Sequence, residues 1–184
     1  MCAIKREHVY GLAVTALFTA LFSVSAMIYI PLAVPVTLQT LVLFSSLLSV
    51  GGRRTSAAVF VYLALGAIGL PVFSGFSGGV GRLLEPSGGF LVGMLIAALA
   101  YWLFDRRGKG LTARCLLCLI SLLILYSFGT LFYYFLYLGG KGSLTAALLV
   151  TVLPFVLPDL LKLFAAAVIA RRIIPFVKSK GIYR

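Results

Sequence analysis

Asp159 and Lys162 are the two residues whose types and spacing most clearly indicate chemistry. They stand three positions apart inside an apolar run, so a helix there would place both side chains on one face. Ionisable residues in such a run usually pair with each other or line a cavity, because an isolated charge in an apolar medium is costly. The pair therefore indicates a binding site, in which the Lys162 ammonium could also hold a ligand carboxylate. The alternative is a buried ion pair that only fixes helix packing.

Three further polar residues are candidates for ligand binding. Thr37 and Gln39 follow Pro35 at the predicted outer start of a helix. The Gln39 amide carries donors and acceptors, so it could bind a polar ligand group or, equally, a neighbouring helix. Arg82 is a candidate as well, although it stands three residues before Glu85 and the two could simply form a solvated ion pair.

The segment from residue 71 to 89 is the least helix-like part of the chain, with six glycines and two prolines. Glycine allows positive φ angles and close approach of other groups. We predict a folded outer loop or lid, in which Phe73 and Phe76 cap a cavity and Gly78 and Gly79 lie at the ligand. The alternative is a plain flexible connector.

Most classes of enzyme are disfavoured by the residues that the sequence contains. It has no G-x-x-x-x-G-K-[ST] phosphate loop, its one histidine is His8 near the start, and only one of its four acidic residues stands in a membrane segment. Cys115 and Cys118 have the spacing of a redox or metal site but no neighbouring His or further Cys, so we interpret them as small residues on a helix. We predict no catalytic residue, no metal and no cofactor. A membrane-embedded transferase that uses Asp159 and Lys162 as acid and base remains the alternative.

The composition requires a membrane around these residues. The 184-residue chain is 62% hydrophobic and 11% charged, with a mean hydropathy of +1.14, and a soluble core of this size cannot bury so much apolar surface. The net charge of +12 would suggest nucleic acid in a soluble protein. Here the basic residues flank apolar runs, so membrane lipid explains the charge and we predict no nucleic-acid binding.

Apolar runs of spanning length predict an all-α membrane protein, one transmembrane domain over residues 1–184 with six transmembrane helices and the glycine-rich outer loop. Pro154 and Pro158 are expected to break the last run between them. The predicted helices cover about 8–30, 35–50, 55–70, 88–104, 114–138 and 158–174, with a short outer segment at about 143–153.

The distribution of basic residues predicts the orientation. All but three of the 16 Lys and Arg fall at the two ends of the chain or in two gaps between helices, which places both termini on the cytoplasmic side of the plasma membrane. Arg82 and Lys141 fall in the opposite loops. The predicted cytoplasmic residues are Lys5, Arg6, Arg53, Arg54, Arg106, Arg107, Lys109, Arg114, Arg171, Arg172, Lys178, Lys180 and Arg184.

Small residues on the first helix form a possible contact surface. Ala16 and Ala20 have the small-xxx-small spacing that lets two helices approach closely in lipid, and Ala13 lies near them in sequence. The surface could pack within the protein's own bundle or against a partner protein.

Three separated segments resemble the BioY family, the substrate-binding S components of energy-coupling factor biotin transporters. They are VPVTLQTL at 34–41, GLPVFSGFSGGVG at 69–81 followed by EPSGGF at 85–90, and VLPFVLPDLLK at 152–162. The resemblance implies a six-helix S-component fold, high-affinity biotin binding near the outer face and no enzymatic activity. It also implies two kinds of partner, a transmembrane coupling (T) component and two ATP-binding subunits. An S component for another small vitamin is the alternative within transport.

The resemblance also implies roles for particular residues. Asp159 and Lys162 match the family's Asp-x-x-Lys, Gln39 matches the glutamine of its second-helix motif, and the glycine-rich loop matches its lid. We expect Lys162 to meet or orient the valerate carboxylate, Asp159 and Gln39 to meet the ureido ring, and the loop phenyl groups to meet the thiophane ring. The helix-one alanines match the surface that meets the coupling protein. Glu85 stands where the family more often has a small residue, so we assign it no ligand role. The predicted biotin-binding residues are Asp159, Lys162, Gln39, Thr37, Phe73, Phe76, Gly78, Gly79 and Arg82, and the predicted partner-binding residues are Ala13, Ala16 and Ala20.

Overall fold

The structure is a computed structural model that describes residues 2–32, 34–105 and 110–179, and these residues are mostly helical. The predicted basic residues Arg106, Arg107, Lys109, Lys180 and Arg184 lie outside the described residues. The elements are α1 (Cys2–Met27), β1 (Tyr29–Ile30), β2 (Val36–Thr37), α2 (Gln39–Val50), α3 (Gly52–Ala67), α4 (Val80–Leu83), α5 (Gly88–Phe104), α6 (Leu111–Phe132, continuing as a π-helical turn over Tyr133–Tyr137), α7 (Leu144–Thr151) and α8 (Leu153–Ser179).

A short hairpin separates the first two helices. Tyr29 pairs with Thr37 and Ile30 with Val36 in an antiparallel arrangement. The prediction of helix over 8–30 and 35–50 was therefore wrong at the facing ends, where the chain is extended. The hairpin brings Thr37 directly to the start of α2 at Gln39.

The last apolar run breaks earlier than the sequence predicts. We expected the break between Pro154 and Pro158, but α7 ends at Thr151 and α8 begins at Leu153, so Pro158 lies inside α8. Pro154 falls in the first turn of α8, where a missing backbone N–H leaves no helical bond unmade. As a result, α8 carries Asp159 and Lys162 more than one turn inside the helix.

Helix α2 is central in the bundle and positions the polar residues. It contacts α1, α3, α5, α6 and α8, and the contact with α8 is extensive. Leu43, Phe44, Leu47 and Leu48 of α2 are fully buried in the apolar core. The start of α2 therefore lies against the part of α8 that carries Asp159 and Lys162.

Several helices have the length and composition of membrane spans. Among the described residues, His8–Met27, Leu111–Tyr137 and Leu144–Pro175 meet both criteria, and Gln39–Val50 and Gly88–Phe104 are shorter apolar helices. Large apolar side chains are exposed on their outer surfaces, including Leu12, Leu103 and Phe164. This exterior is that of a multi-pass membrane protein.

Candidate functional site

A cavity lies where the hairpin, the glycine-rich loop and helices α2, α5, α6 and α8 meet. Its volume is about 560 Å³, including the opening. Polar groups and apolar side chains both contribute to its wall. The lining residues are Val34, Pro35, Thr37, Gln39, Thr40, Ser74, Ser87, Phe90, Leu91, Met94, Leu125, Tyr126, Phe155, Asp159 and Lys162.

Lys162 has all three ammonium protons occupied by acceptors of the protein. Its Nζ atom lies 2.8 Å from Asp159 Oδ1, 2.7 Å from the backbone oxygen of Thr37 and 3.0 Å from Thr40 Oγ1. The Lys162 side chain is 12% exposed and that of Asp159 is 2% exposed. The buried cation is therefore balanced by one carboxylate and two neutral acceptors.

Asp159 accepts hydrogen bonds on both carboxylate oxygens. Besides Lys162, its Oδ1 atom accepts from Thr40 Oγ1 at 2.7 Å, and its Oδ2 atom accepts from Tyr126 Oη at 2.8 Å. The three donors come from α2, α6 and α8. Because charge-assisted hydrogen bonds satisfy an ionised carboxylate, the site can hold Asp159 as an anion in an apolar bundle.

Gln39 contacts a neighbouring helix as well as lining the cavity. Its Nε2 atom donates to Tyr62 Oη of α3 at 2.8 Å, and its Oε1 atom accepts from Thr37 Oγ1 at 3.1 Å. The two alternatives for this amide are thus compatible, since it ties α2 to α3 and still faces the cavity. A ligand contact by Gln39 or Thr37 stays a prediction.

The apolar part of the wall comes from residues that sequence reasoning missed. Phe90 of α5 and Phe155 of α8 stack with ring centroids 6.3 Å apart, next to Leu91, Met94 and Leu125. Thr40 and Tyr126 were missed as well. Thr40 stands in the same short segment as Thr37 and Gln39, so its position gave a usable signal, whereas an aromatic residue in an apolar run gives none.

The glycine-rich loop is folded against the bundle through Phe73. The Phe73 side chain is fully buried and meets the Tyr62 ring edge-on with centroids 5.5 Å apart. The Gly79 N–H donates to the Gly66 carbonyl at 2.7 Å, and Phe73 N–H donates to the Ser77 carbonyl at 3.0 Å. This arrangement differs from a flexible connector and brings Ser74 to the cavity wall.

The other loop residues predicted to meet a ligand do not line the cavity. Phe76 is 72% exposed and has a φ angle of 54°. A Cβ atom at Gly78 would lie 2.3 Å from the Leu70 carbonyl oxygen, so glycine is required there for packing within the loop. Gly79 has a φ angle of 97°, which glycine adopts readily. Ligand contacts by these residues and by Phe73 stay predictions, and the observed contacts of Phe73 and Gly78 are structural.

Arg82 contacts a residue of the cavity wall but does not line the cavity itself. Its guanidinium pairs with the Glu85 carboxylate and donates to the Ser74 carbonyl at 3.3 Å. The two side chains are 25% and 46% exposed. Arg82 is therefore one residue removed from the cavity.

The alanines of helix α1 lie on its exposed face. Ala13, Ala16 and Ala20 are all exposed, whereas Phe18 and Phe22 of the same helix are buried in the core. Their exposure leaves this face of α1 outside the buried core. Their contact with a partner stays a prediction.

No candidate metal centre is found among the residues that the structure describes. Those residues contain no group of three or more His, Cys, Asp or Glu side chains placed to hold a metal ion. Cys115 and Cys118 are free thiols on α6, and neither lines the cavity.

Comparison with known proteins gives a consistent result. The model of the BioY family matches residues 4–179. A probable biotin transporter BioY of Pyrococcus horikoshii is 36% identical over 88% of this chain and 94% of its own length. A biotin transporter BioY of Thermotoga maritima is 37% identical over 85% of this chain and 91% of its own length. A crystal structure of the S-component for biotin from an ECF-type ABC transporter superposes with a TM-score of 0.81 at 25% identity, covering 90% of this chain and 91% of the other.

Proposed function

Because the chain belongs to the BioY family, we infer that it is a biotin-binding membrane subunit for biotin uptake, the S component of an ECF-type transporter. It is a transport protein and not an enzyme. The observation that carries this conclusion is a single cavity lined by residues from all three segments that resemble the family.

The two kinds of cavity wall suit the chemistry of biotin. Biotin combines a neutral cyclic urea with an apolar thioether ring and a carboxylate on a short hydrocarbon chain. Asp159, Lys162 and Tyr126 form the polar wall, and the stacked rings of Phe90 and Phe155 form part of the apolar wall. A mostly apolar cavity with few convergent polar groups is the usual form of a small-molecule site.

The charge balance favours the urea at the Asp159–Lys162 pair. The pair is already neutral, so a ligand carboxylate beside it would add an uncompensated negative charge to a buried site. A urea can instead exchange hydrogen bonds without changing the charge. One of its N–H groups donates to the polar wall at Asp159, and its carbonyl accepts from Lys162 in place of Thr37 or Thr40. This orientation differs from the expectation that Lys162 meets the valerate carboxylate.

Arg82 is then the cation for the valerate carboxylate. Its guanidinium already contacts Ser74, which lines the cavity, and its present partner is Glu85. Gln39 and Thr37 border the urea, and the stacked phenyl rings contact the thiophane ring. In this arrangement Glu85 competes with the ligand carboxylate for the same guanidinium.

Replacing Arg82 and Glu85 should have opposite effects on biotin binding. We expect Arg82→Gln to weaken binding about 10- to 100-fold, because a hydrogen bond to a charged group contributes about 1.5–3 kcal/mol. Glu85→Gln should strengthen binding a few fold, because it frees a partly exposed guanidinium. The measurement is equilibrium binding of biotin and of uncharged biotinamide to the purified protein.

Biotinamide and Lys141→Gln are the controls for this pair. Neither charge variant should change biotinamide affinity, and removing the exposed Lys141 charge should leave both ligands unaffected. Equal losses of biotin and biotinamide in Arg82→Gln would refute the assignment of the carboxylate.

The membrane arrangement follows from the same proposal. One domain over residues 1–184 would cross the membrane six times, with both termini in the cytoplasm and the glycine-rich loop outside. His8 of α1 lines a surface cavity together with Arg53 and Arg54 of α3, which supports a common basic end. Biotin would be captured from the outer side and released after the subunit reorients. The partners would be a T component, contacting Ala13, Ala16 and Ala20, and two ATP-binding subunits that supply the energy.

The proposed function is tested by titrating the purified protein with several vitamins. Biotin should bind saturably at one site per chain, whereas thiamine, riboflavin and folate should not bind at the same concentrations. Tighter binding of another vitamin would identify a different S component. Chemical conversion of biotin by the purified chain would support the transferase alternative.

A further inference from the structure

Tyr126 is a polar cavity residue that stands outside the three segments resembling the family. It lies on α6, is 7% exposed, and places its hydroxyl 2.8 Å from Asp159 Oδ2. Residues Tyr126 and Asp159 both line the cavity. The phenol therefore lies at the polar wall that we assign to the urea of biotin.

A count of protons determines what this hydroxyl can offer a ligand. An ionised carboxylate only accepts hydrogen bonds, so the single phenol proton of Tyr126 is directed to Asp159. The Lys162 protons are used by Asp159, Thr37 and Thr40, and the Thr40 proton is used by Asp159. What remains unused is acceptor capacity on Tyr126 Oη and Asp159 Oδ2, and Lys162 can donate to the urea carbonyl only by releasing Thr37 or Thr40.

We propose that Tyr126 is a specificity-determining residue whose hydroxyl oxygen, next to Asp159 Oδ2, accepts one N–H of the ligand ring and rejects a ring that presents an acceptor there. The inference rests on the proposed function and adds the ligand class, a ring with an N–H donor at this point. A ring oxygen in place of that N–H would point its lone pair at the lone pair of the Tyr126 hydroxyl oxygen. A site built to bind an N–H group discriminates strongly against analogues that lack it, because its own polar group is left unpaired.

The test uses biotin and its two cyclic carbamate analogues, each with one ring N–H replaced by oxygen. Wild-type protein should bind one of the two analogues more weakly than biotin by on the order of 100-fold. Tyr126→Phe should reduce that preference to about tenfold and leave the preference against the other analogue unchanged. The change is specific to one ring position, whereas a purely structural role would weaken all three ligands equally.

Tyr133→Phe is the matched control. Tyr133 is a buried tyrosine seven positions further along the chain and does not line the cavity, so its replacement should leave all three affinities unchanged. Identical preferences in wild type and Tyr126→Phe would overturn the inference. Equally tight binding of biotin and both analogues by the wild type would overturn it as well, even if Tyr126→Phe does not fold. Failure of the wild type to bind biotin would instead refute the proposed function.

Discussion

Replacing Lys162 by alanine is expected to lower biotin affinity about 10- to 100-fold, because a hydrogen bond from a charged donor contributes about 1.5–3 kcal/mol. The substitution should also destabilise the fold, because removing one member of a buried ion pair costs roughly 3–5 kcal/mol. Asp159 is 1% exposed, and without Lys162 it would keep only the Thr40 and Tyr126 hydroxyls as donors. The urea carbonyl would also lose its donor. Binding of radiolabelled biotin to the purified variant measures the loss, together with its thermal unfolding midpoint.

Lys141→Ala is the matched control for this substitution. It removes the same kind of side chain from an exposed position between the π-helical turn and α7. We expect wild-type affinity and an unchanged unfolding midpoint. A similar affinity in Lys141→Ala and Lys162→Ala would contradict the proposed site.

A neutral double variant separates a ligand contact from a packing role. Asp159→Asn with Lys162→Gln removes both charges and keeps groups that can hydrogen-bond. If the pair only fixes helix packing, the double variant should regain both the stability and the biotin binding that Lys162→Ala loses. We expect recovery of stability alone, with biotin affinity still lowered at least about tenfold, because the charge-assisted hydrogen bonds to the urea are lost.

The helical character of the fold could be predicted from the sequence, but the short elements could not. Apolar runs of spanning length are a strong signal, and the helix predicted over 88–104 has the bounds observed for α5. The hairpin over 29–37 has strands of two residues, too short for an alternating pattern to appear. The predicted helix break after Pro154 was misplaced, because proline is tolerated in the first turn of a helix.

The polar part of the site was predictable for a different reason than its apolar part. Asp159 and Lys162 are conspicuous because charges are rare in apolar runs. Tyr126, Phe90 and Phe155 stand among similar residues, and nothing in the sequence tells a cavity-lining aromatic residue from one that faces lipid or the core. Only the packing of α5, α6 and α8 makes that distinction.

In the glycine-rich loop, the sequence also fails to separate two aromatic residues whose structural roles differ. Phe73 and Phe76 are three residues apart, and the sequence gives both the same expected role. In the structure one ring is fully buried and the other is 72% exposed. Phe73 is buried because its ring packs directly against Gly66 of α3, which has no side chain. The sequence does not single out Gly66.

Gly66→Ala is expected to lower the stability of the fold by about 1–3 kcal/mol, the cost of overpacking a filled core, and to weaken biotin binding by displacing Phe73. A Cβ atom at position 66 would lie 2.0 Å from Phe73 Cζ, so the ring could not stay against Tyr62. Ser74 follows Phe73 directly and lines the cavity, so the displacement would reach the ligand. Biotin binding and the thermal unfolding midpoint should both fall.

We attribute the loss of binding and stability in Gly66→Ala to a collision with the Phe73 ring. Two further variants test this attribution. Gly81→Ala adds the same methyl group in α4, where nothing lies within 4 Å, and should leave binding and stability unchanged. Phe73→Leu in the Gly66→Ala background shortens the obstructing side chain and should restore part of both. If the second substitution restores nothing, Phe73 does not connect α3 to the cavity. Partial rescue would mean that biotin affinity depends on a residue that does not line the cavity, because the buried Phe73 ring holds Ser74, and through it Arg82, in place.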